Sequence, residues 1–202
     1  MLRARIAVFV SGGGTNLQAL LDAEKDGKIP HGEIVLVVSG NAGAYALERA
    51  SNAGVETAVV QKKDFPSQSA YENALIDVLT QKGIDLIILA GFMTILSADF
   101  TSRYPERIIN VHPALIPSFC GEGYYGLRVH EAALKYGVKV TGATVHFVNE
   151  IPDGGRIILQ KAVEVFEDDT PQTLQKRVMC QAEWILLPEA AELVSEKIVR
   201  SR

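Results

Sequence analysis

Short apolar runs alternate with helical patterns through the first half of the chain, and this alternation constrains the fold more than any other feature. Residues 6–10 and 34–38 are strand-length apolar runs rich in β-branched side chains. Each run is followed by a segment in which leucine or alanine recurs at helical spacing. Residues 85–90 and 108–111 repeat the strand pattern. Strands that alternate with helices form parallel βαβ units. The sequence therefore predicts an α/β fold, with a doubly wound, mostly parallel sheet and helices on both faces.

Local signals mark the ends of several helices in this half. Ser67 or Ser69 can cap a helix in which apolar residues recur at helical spacing, and Gly83 would end it. Gly54 is expected just past the end of the preceding helix, because glycine readily adopts the left-handed conformation found there. These boundaries support the strand and helix alternation.

The second half of the chain has a different pattern. Residues 113–125 show no periodicity and contain two prolines, which predicts a long loop of the kind that is usually functional. Residues 138–148 and 157–165 then form two strand patterns with a short connection, which favours an antiparallel pair late in the chain. A helical tail begins at Thr170, and Pro188 is expected to kink or divide it.

Composition limits the classes of protein to which the chain can belong. With 202 residues, of which 48% are hydrophobic and 22% charged, it fits a single domain over residues 1–202 with a sizeable core. The formal net charge of −4 comes from interspersed charges, which favours neither a nucleic-acid nor a membrane partner. Small-molecule substrates are expected instead, for a monomer or homodimer.

The cysteine content and the N-terminal residues indicate the cellular compartment. Cys120 and Cys180 could form at most one bridge, so neither a disulfide framework nor a zinc site is predicted, and a reducing cytoplasm fits best. The first apolar run ends at Ser11, too early for a signal peptide, and no later run is long enough to cross a bilayer. We therefore expect a cytoplasmic protein with no metal.

Asn110 and His112 are candidate catalytic residues because of where they fall. They alternate at the end of a strand that Pro113 prevents from continuing. In open α/β sheets, ligands bind outside the carboxyl ends of the strands, so a carboxamide and an imidazole could face one cleft there. Taken alone, the pair could also be a turn cap and an ordinary boundary histidine.

Three other stretches could carry chemistry. The glycine-rich turn from Ser11 to Asn16 would place amide groups and a helix N-terminus around a phosphate, although a plain tight turn is also compatible. Asp153 precedes two glycines in a loop and could be a turn aspartate. Residues 89–93 form the apolar end of another strand. Such a strand end could bind a flat aromatic ligand or could simply be part of the core.

Together these stretches resemble the formyltransferases that use 10-formyltetrahydrofolate. The resemblance extends over nearly the whole chain, and the first loop narrows it to members that formylate glycinamide ribonucleotide in purine synthesis. The motifs are Ser11-Gly-Gly-Gly-Thr-Asn-Leu-Gln18, Leu89-Ala-Gly-Phe-Met93, Asn110-Val-His-Pro-Ala-Leu-Ile-Pro117, Thr144-Val-His-Phe-Val148 and Asp153-Gly-Gly155.

The resemblance assigns roles to these residues. It implies transfer of a formyl group from 10-formyltetrahydrofolate, as co-substrate, to an amine, without a metal. It also divides the domain into a nucleotide- and phosphate-binding half, residues 1–105, and a catalytic and folate-binding half, residues 106–202. The implied catalytic residues are Asn110, His112 and Asp153; the implied ribonucleotide-binding residues are Gly14, Thr15, Asn16 and Glu183; the implied folate-binding residues are Phe92, Met93, Thr94, Ile95, Leu96, Val148 and Asn149.

The residue types fit this reaction. Asn110 can donate a hydrogen bond to a developing oxyanion, and Asp153 can orient His112 and raise its pKa. His112 could act as a base or as a charged oxyanion stabiliser, and the sequence leaves both open. His146 could line the site or be a core histidine, whereas Cys120 is better explained as a loop cysteine than as a nucleophile.

The chain also departs from the family pattern. Gln68 and Thr94 stand where positively charged residues are usual, and the loop 119–126 is unusual. The last helical segment carries one extra residue before Glu183. We therefore expect contacts with the folate's glutamate tail to differ from the usual ones.

Three rival functions share part of this pattern. A formyltetrahydrofolate hydrolase would need the same catalytic residues, but its relatives carry an additional domain ahead of the catalytic one, and here the first strand begins near Arg5. A transferase acting on methionyl-tRNA would carry an RNA-binding domain after the catalytic one. A non-catalytic folate- or nucleotide-binding module would not need Asn110, His112 and Asp153 together.

Overall fold

A seven-stranded sheet forms the centre of the computed structural model, which describes residues 2–202. The strand order is β3-β2-β1-β4-β5-β6-β7, and β1 to β5 are parallel. The strands are β1 (Ala4–Val10), β2 (Gly32–Ser39), β3 (Glu56–Val59), β4 (Leu86–Leu89), β5 (Ile108–His112), β6 (Val140–Phe147) and β7 (Ile157–Glu164). The predicted doubly wound α/β fold is confirmed.

Seven α-helices connect or flank these strands in the described residues. They are α1 (Thr15–Lys25), α2 (Tyr45–Asn52), α3 (Gln68–Gln81), α4 (Ala98–Ser102), α5 (Leu127–Tyr136), α6 (Pro171–Val178) and α7 (Trp184–Arg200). A 3₁₀ turn spans Lys62–Asp64 and a π-helical turn spans Met179–Glu183. No helix among residues 2–202 has both the length and the apolar character that a membrane crossing requires.

The two faces of the sheet pack against different helices. Along β1, Ile6 and Val8 contact the cluster built from α1, α5, α6 and α7, whereas Ala7 and Phe9 contact the cluster built from α3 and α4. Successive side chains of a strand point to opposite faces, so one buried strand can serve two cores. This explains why residues 6–10 of β1 are apolar without interruption.

Several predicted boundaries are confirmed. Ser67 rather than Ser69 caps α3, since its Oγ accepts a hydrogen bond from the amide of Ala70. Gly54 follows α2 with a φ of 74°, as expected for the residue just past a helix end. Thr170 caps α6 and also forms a capping box with Thr173.

The helical tail divides at a different place from the one predicted. Pro188 lies inside α7 and is buried there, and the interruption between α6 and α7 is the π-helical turn Met179–Glu183. A π turn accommodates one additional residue within an otherwise α-helical segment. A turn of this kind can accommodate the extra residue that the family resemblance implies before Glu183.

The sheet has two antiparallel neighbours late in the chain. Strand β6 runs antiparallel to β7, as predicted, and also antiparallel to β5. The order of the strands reverses at β1, because β2 lies on one side of it and β4 on the other. In doubly wound sheets the ligand crevice opens at such a switch point, beyond the carboxyl ends of β1 and β4.

Candidate active site

Four polar side chains form a continuous series beside the switch point. Asn110 Nδ2 lies 3.2 Å from His146 Nε2, and this nitrogen lies 3.5 Å from Asp153 Oδ1. The other carboxylate oxygen of Asp153 lies 3.4 Å from His112 Nδ1. The structure thus brings together the three predicted catalytic residues and the histidine whose role was left open.

Strand register explains why Asn110, His112 and His146 are neighbours. In the antiparallel pair of β5 and β6, Asn110 is opposite His146, and His112 is opposite Thr144. Side chains of directly opposed residues lie on the same face of a sheet, at contact distance. Because Asn110 and His112 are two residues apart, they also share that face.

Asp153 reaches the cluster from a strained loop. Its φ is 56°, in the left-handed region that few non-glycine residues adopt, and its Oδ2 accepts a hydrogen bond from the Gly121 amide at 2.9 Å. A Cβ on Gly155 would lie 1.7 Å from the carbonyl oxygen of Phe147. Gly155, the second glycine after Asp153, therefore lets the loop pass close to the end of β6.

The environment keeps His112 neutral and Asp153 ionised at neutral pH. Burial lowers the pKa of His112, and although the carboxylate of Asp153 raises it, the net pKa lies below the ordinary value. The expectation that Asp153 would raise the pKa of His112 is therefore right for that pair and wrong for the net result. Burial alone would raise the pKa of Asp153, but the two histidines and the Gly121 amide outweigh it and lower the pKa.

His112 is held by the loop that follows its own strand. Its Nε2 lies 2.8 Å from the carbonyl oxygen of Phe119, and a carbonyl can only accept, so Nε2 carries the hydrogen. The nitrogen free to take up a proton is then Nδ1, which faces Asp153. A proton gained by His112 would lie directly between the ring and the carboxylate.

Thr144 fixes the start of this loop. Its buried hydroxyl donates to the carbonyl of Ala114 at 2.7 Å and accepts from the amide of Ile116 at 3.1 Å. Gln160 on β7 donates to the same hydroxyl and to the carbonyl of Ile116, both at 3.0 Å. Sequence reasoning missed these anchoring roles, although Thr144 opens one of the motifs that it used.

A cleft next to the cluster contains most of the predicted folate-binding residues. Asn110, His146 and Asp153 line it, whereas His112 does not line it and instead contacts Asp153. Of the predicted set, Phe92, Thr94, Ile95, Leu96, Val148 and Asn149 line the cleft. Leu89, Glu150, Ile151 and Pro152 also line it and were not predicted individually.

Met93 is the predicted folate-binding residue that the cleft does not include. Its side chain is exposed, and its amide donates to Ser11 Oγ at 3.0 Å. This bond links the loop after β4 to the loop after β1. Met93 therefore connects the two predicted substrate-binding loops through its backbone.

Gln68 has a structural role that its sequence position did not reveal. Its Nε2 donates to Glu72 Oε1 at 2.6 Å and to the carbonyl of Ile95 at 3.2 Å. Glu72 is buried and also accepts from the amide and hydroxyl of Ser97. Where a positive charge was expected, an uncharged side chain secures the loop that lines the cleft.

The glycine-rich turn has the geometry expected of an anion site. Gly14 has a φ of 73°, and a Cβ there would lie 2.6 Å from the Cβ of Ala46, so both its conformation and its packing require glycine. Thr15 is the first residue of α1, and Asn16 follows. The first amides of a helix lack internal partners, and they favour negative charge.

Glu183 meets this turn from the end of the π-helical segment. Its Oε2 accepts a hydrogen bond from Asn16 Nδ2 at 2.7 Å, and the side chain is buried. Burial raises the pKa of Glu183 to about 7, and the bond from Asn16 offsets only part of this effect. The structure thus brings together Gly14, Thr15, Asn16 and Glu183, the predicted ribonucleotide-binding set.

Two further residues lie near the cluster. Burial and the charge of Asp153 raise the pKa of Cys120, whose Sγ donates to the carbonyl of Pro117, and this disfavours the nucleophilic thiolate form. His130 lies on α5 and is fully buried. Burial, with a smaller effect of His112, lowers the pKa of His130 to about 4.

Comparison with known proteins identifies relatives over nearly the whole chain. Residues 4–190 match the family described as formyl transferase. The chain is 39% identical over 197 residues to the chloroplastic phosphoribosylglycinamide formyltransferase of Arabidopsis thaliana, a match that covers 97% of this chain and 67% of that one. It is 43% identical over 199 residues to the trifunctional purine biosynthetic protein adenosine-3 of Bos taurus. That match covers 98% of this chain but 19% of the larger protein.

A solved structure is similar as well. The crystal structure of glycinamide ribonucleotide transformylase 1 from Symbiobacterium toebii superposes with a TM-score of 0.90 at 43% sequence identity. The match covers 96% of this chain and 89% of that one. The likeness therefore extends to the fold and to most of the length of both chains.

Proposed function

The chain belongs to the formyl transferase family, and we propose that it transfers the formyl group of 10-formyltetrahydrofolate to the amine of glycinamide ribonucleotide. The products are formylglycinamide ribonucleotide and tetrahydrofolate, in de novo purine synthesis. The observation that carries this proposal is the series Asn110, His146, Asp153 and His112, of which the first three line the adjacent cleft.

The proposed reaction is a direct transfer. The amine nitrogen attacks the formyl carbon, a tetrahedral oxyanion forms, and the bond between the formyl carbon and the folate nitrogen then breaks. Asn110 lines the cleft and has an amide hydrogen to offer to the oxyanion. Loss of one such donor typically costs about 10²–10³ in rate, so a single carboxamide can account for much of the acceleration.

One proton must leave the attacking amine and one must reach the departing folate nitrogen. Asp153, ionised and lining the cleft, can accept the first directly or through water, and His112 can share it at Nδ1. A neutral His112 is suited to receive a proton, and the imidazolium that results is stabilised by the adjacent carboxylate. In this proposal His112 acts through Asp153 as a proton acceptor.

The two substrates would bind on opposite sides of this series. The ribonucleotide phosphate would be held by Gly14, Thr15 and Asn16, with Glu183 nearby. The pterin would enter the cleft between the loop after β4 and residues 148–153. In this assignment residues 1–105 supply the phosphate-binding turn and one wall of the folate cleft, and residues 106–202 supply the catalytic residues, the other wall of the cleft and Glu183.

The setting that we propose is the cytoplasm, with the chain as a monomer or homodimer. Cys120 and Cys180 are free thiols, which fits a reducing compartment. The proposed substrates are small molecules, with no nucleic acid or membrane involved. The net charge of −4 agrees with this choice.

A spectroscopic assay tests the proposed function. Purified protein is mixed with 10-formyltetrahydrofolate, and the deformylated folate is followed with and without glycinamide ribonucleotide. We expect release to depend on the ribonucleotide, with the formyl group recovered on its amine. The variant His112→Ala is the matched test of catalysis, because it should lose turnover and keep folate binding.

Other outcomes would identify the rival functions. Release that ignores the ribonucleotide would identify a formyltetrahydrofolate hydrolase. Folate binding without release, unchanged in His112→Ala, would identify a binding module. Either result would contradict the transferase assignment.

A further inference from the structure

Helix α2 holds the carbonyl groups of the glycine-rich turn. The amide of Ala46 donates to the carbonyl of Gly12 at 3.1 Å, and Arg49 Nε donates to the carbonyl of Gly13 at 2.8 Å. The carbonyl of Gly14 accepts the first hydrogen bond of α1, from the amide of Gln18 at 2.9 Å. Three consecutive carbonyls are thus directed to protein donors.

The direction of these carbonyls determines where the amides point. In a trans peptide the C=O and the following N–H lie on opposite sides of the chain. Capture of the Gly12 and Gly13 carbonyls by α2 therefore turns the amides of Gly13 and Gly14 away from α2. The carbonyl of Gly14 points into α1, so the amide of Thr15 points out of the N-terminus of that helix. The amides of Gly13, Gly14 and Thr15 are therefore available to an anion.

Arg49 is held in place by three contacts. Besides its bond to Gly13, its Nη1 donates to Gln18 Oε1 at 3.0 Å, and the guanidinium lies 4.9 Å from the centre of the Tyr45 ring. A planar guanidinium can make these contacts at once because its donors form a rigid fork, whereas a lysine ammonium cannot. The side chain is therefore suited to fix the turn as well as to supply charge.

The turn has no cation of its own. Residues 11–16 contain neither lysine nor arginine, in contrast to the nucleotide-binding loops that include a lysine. Arg49 brings a positive charge to within hydrogen-bond distance of the turn from a different helix. An anion bound at the amides would interact favourably with that charge.

We infer that Arg49 is a positioning residue for the ribonucleotide phosphate, which holds the carbonyl of Gly13 on α2 so that the turn keeps its amides directed at the anion. This inference rests on the proposed function for the identity of the ligand. It assigns to α2 a role in substrate affinity, although α2 contributes no residue to the predicted ribonucleotide-binding set. The rate of formyl transfer at saturation does not depend on this role.

Three variants test the inference by binding and by steady-state kinetics. Arg49→Met removes both the charge and the fork, and Arg49→Lys keeps the charge alone. Arg200→Met, at the far end of α7, is the control that makes the same change in net charge. The probes are inorganic phosphate, glycinamide ribonucleotide and 10-formyltetrahydrofolate, with the melting temperature of each variant measured in parallel.

We expect Arg49→Met to raise the Kd for phosphate and the KM for the ribonucleotide by roughly tenfold, the usual effect of losing a charge-assisted hydrogen bond. The Kd for folate should stay within about twofold, and kcat should fall much less than kcat/KM. Arg49→Lys should lie between wild type and Arg49→Met. Arg200→Met should behave as wild type.

Different experimental results would contradict the role of Arg49 and the proposed function. Wild-type affinity for phosphate and ribonucleotide in Arg49→Met would overturn the inference, as would a parallel loss of folate binding and melting temperature, which indicates general packing. Full recovery in Arg49→Lys would overturn the positioning role, since charge alone would suffice. A wild-type protein that binds phosphate, loses this affinity in Arg49→Met and transfers no formyl group would support the inference and contradict the proposed function.

Discussion

Asn110 and His146, opposite each other on β5 and β6, lie 3.2 Å apart between Nδ2 and Nε2. The other ring nitrogen of His146, Nδ1, lies 2.8 Å from the carbonyl oxygen of Phe147 and must donate to it. In the neutral ring Nε2 then carries no hydrogen and accepts a hydrogen bond from the amide of Asn110. Only the protonated ring could donate from Nε2 to Asp153 Oδ1, at 3.5 Å. The register of two strands thereby fixes which way the Asn110 carboxamide faces.

The first prediction concerns this orientation. We expect His146→Leu to lower kcat by about tenfold or more, because Asn110 can then rotate away from the oxyanion position. The KM for folate should change less than threefold by the same argument. Steady-state kinetics at saturating ribonucleotide measures both quantities.

His146→Gln provides the comparison for this prediction. Its carboxamide can still accept from Asn110, so it should recover part of the lost kcat. If His146→Leu retained the wild-type kcat, or if both variants lost folate binding and turnover together, the positioning of Asn110 by His146 would be wrong.

The second prediction concerns Asp153. Asp153→Asn should lower kcat by on the order of 10² or more, because the carboxylate that accepts and stabilises the proton is lost. Asparagine tolerates a positive φ and can accept from the Gly121 amide, so the loop should keep its shape. The Kd for folate, measured by fluorescence or calorimetry, should therefore change little. Equal losses of turnover and folate affinity would contradict the catalytic role.

The pH profile gives a second readout for this variant. The pKa of His112 lies below its ordinary value of 6.5, so the acid limb of kcat/KM should lie below pH 6.5. The carboxylate of Asp153 raises the pKa of His112, so its removal should move this limb to still lower pH. A limb that moves upward in Asp153→Asn would show that His112 is not the titrating group.

The sequence predicted the elements of the fold because their signals are local. The apolar run of β1 and the caps at Ser67 and Thr170 depend on neighbouring residues alone, and each was found as expected. The π-helical turn was not predicted, because a single extra residue leaves the helical pattern nearly unchanged. The hydrogen bond between Glu183 and Asn16 joins residues that are 167 positions apart, so no local pattern indicates it.

Only part of the candidate site was predicted, because only some of its residues carry a local signal. Asn110, His112 and Asp153 carry motif signals, whereas the bond between Asn110 and His146 depends on the antiparallel register of β5 and β6. The pKa of His112 is lowered because burial outweighs the effect of the nearby carboxylate. The extent of burial depends on the whole fold, so the sequence alone does not reveal this result. Arg49 has no motif signal, because its function comes from the packing of α2 on the turn.

The third prediction concerns Glu183. Its pKa in the folded protein is about 7, against an ordinary value of 4.5, so the folded state binds more protons than the unfolded state between these values. Stability should therefore fall as the pH rises from 4.5 to 7 and remain reduced above 7. We expect Glu183→Gln, which cannot ionise and can still accept from Asn16, to be more stable by about 3 kcal/mol at pH 8.

Urea unfolding at several pH values measures this difference. Glu183→Gln and wild type should have nearly equal free energies of unfolding at pH 4.5, and the gap should open between pH 4.5 and 7. A constant gap across this range would mean that Glu183 does not titrate with a raised pKa. In the proposed function the variant should also bind the ribonucleotide more weakly, which is a separate measurement.

The last prediction concerns His130, a fully buried histidine with the opposite dependence on pH. Neither ring nitrogen has a hydrogen-bond partner among the described residues, and the pKa in the folded state is about 4 against an ordinary 6.5. Between these values the unfolded state binds more protons, so stability falls as the pH falls from 6.5 towards 4, by about 3 kcal/mol in total. His130→Leu removes this effect and should have a flatter dependence of stability on pH. The difference between the two proteins isolates His130, since other titrating groups are common to both; equal slopes between pH 6.5 and 4 would contradict a neutral His130 in the folded state.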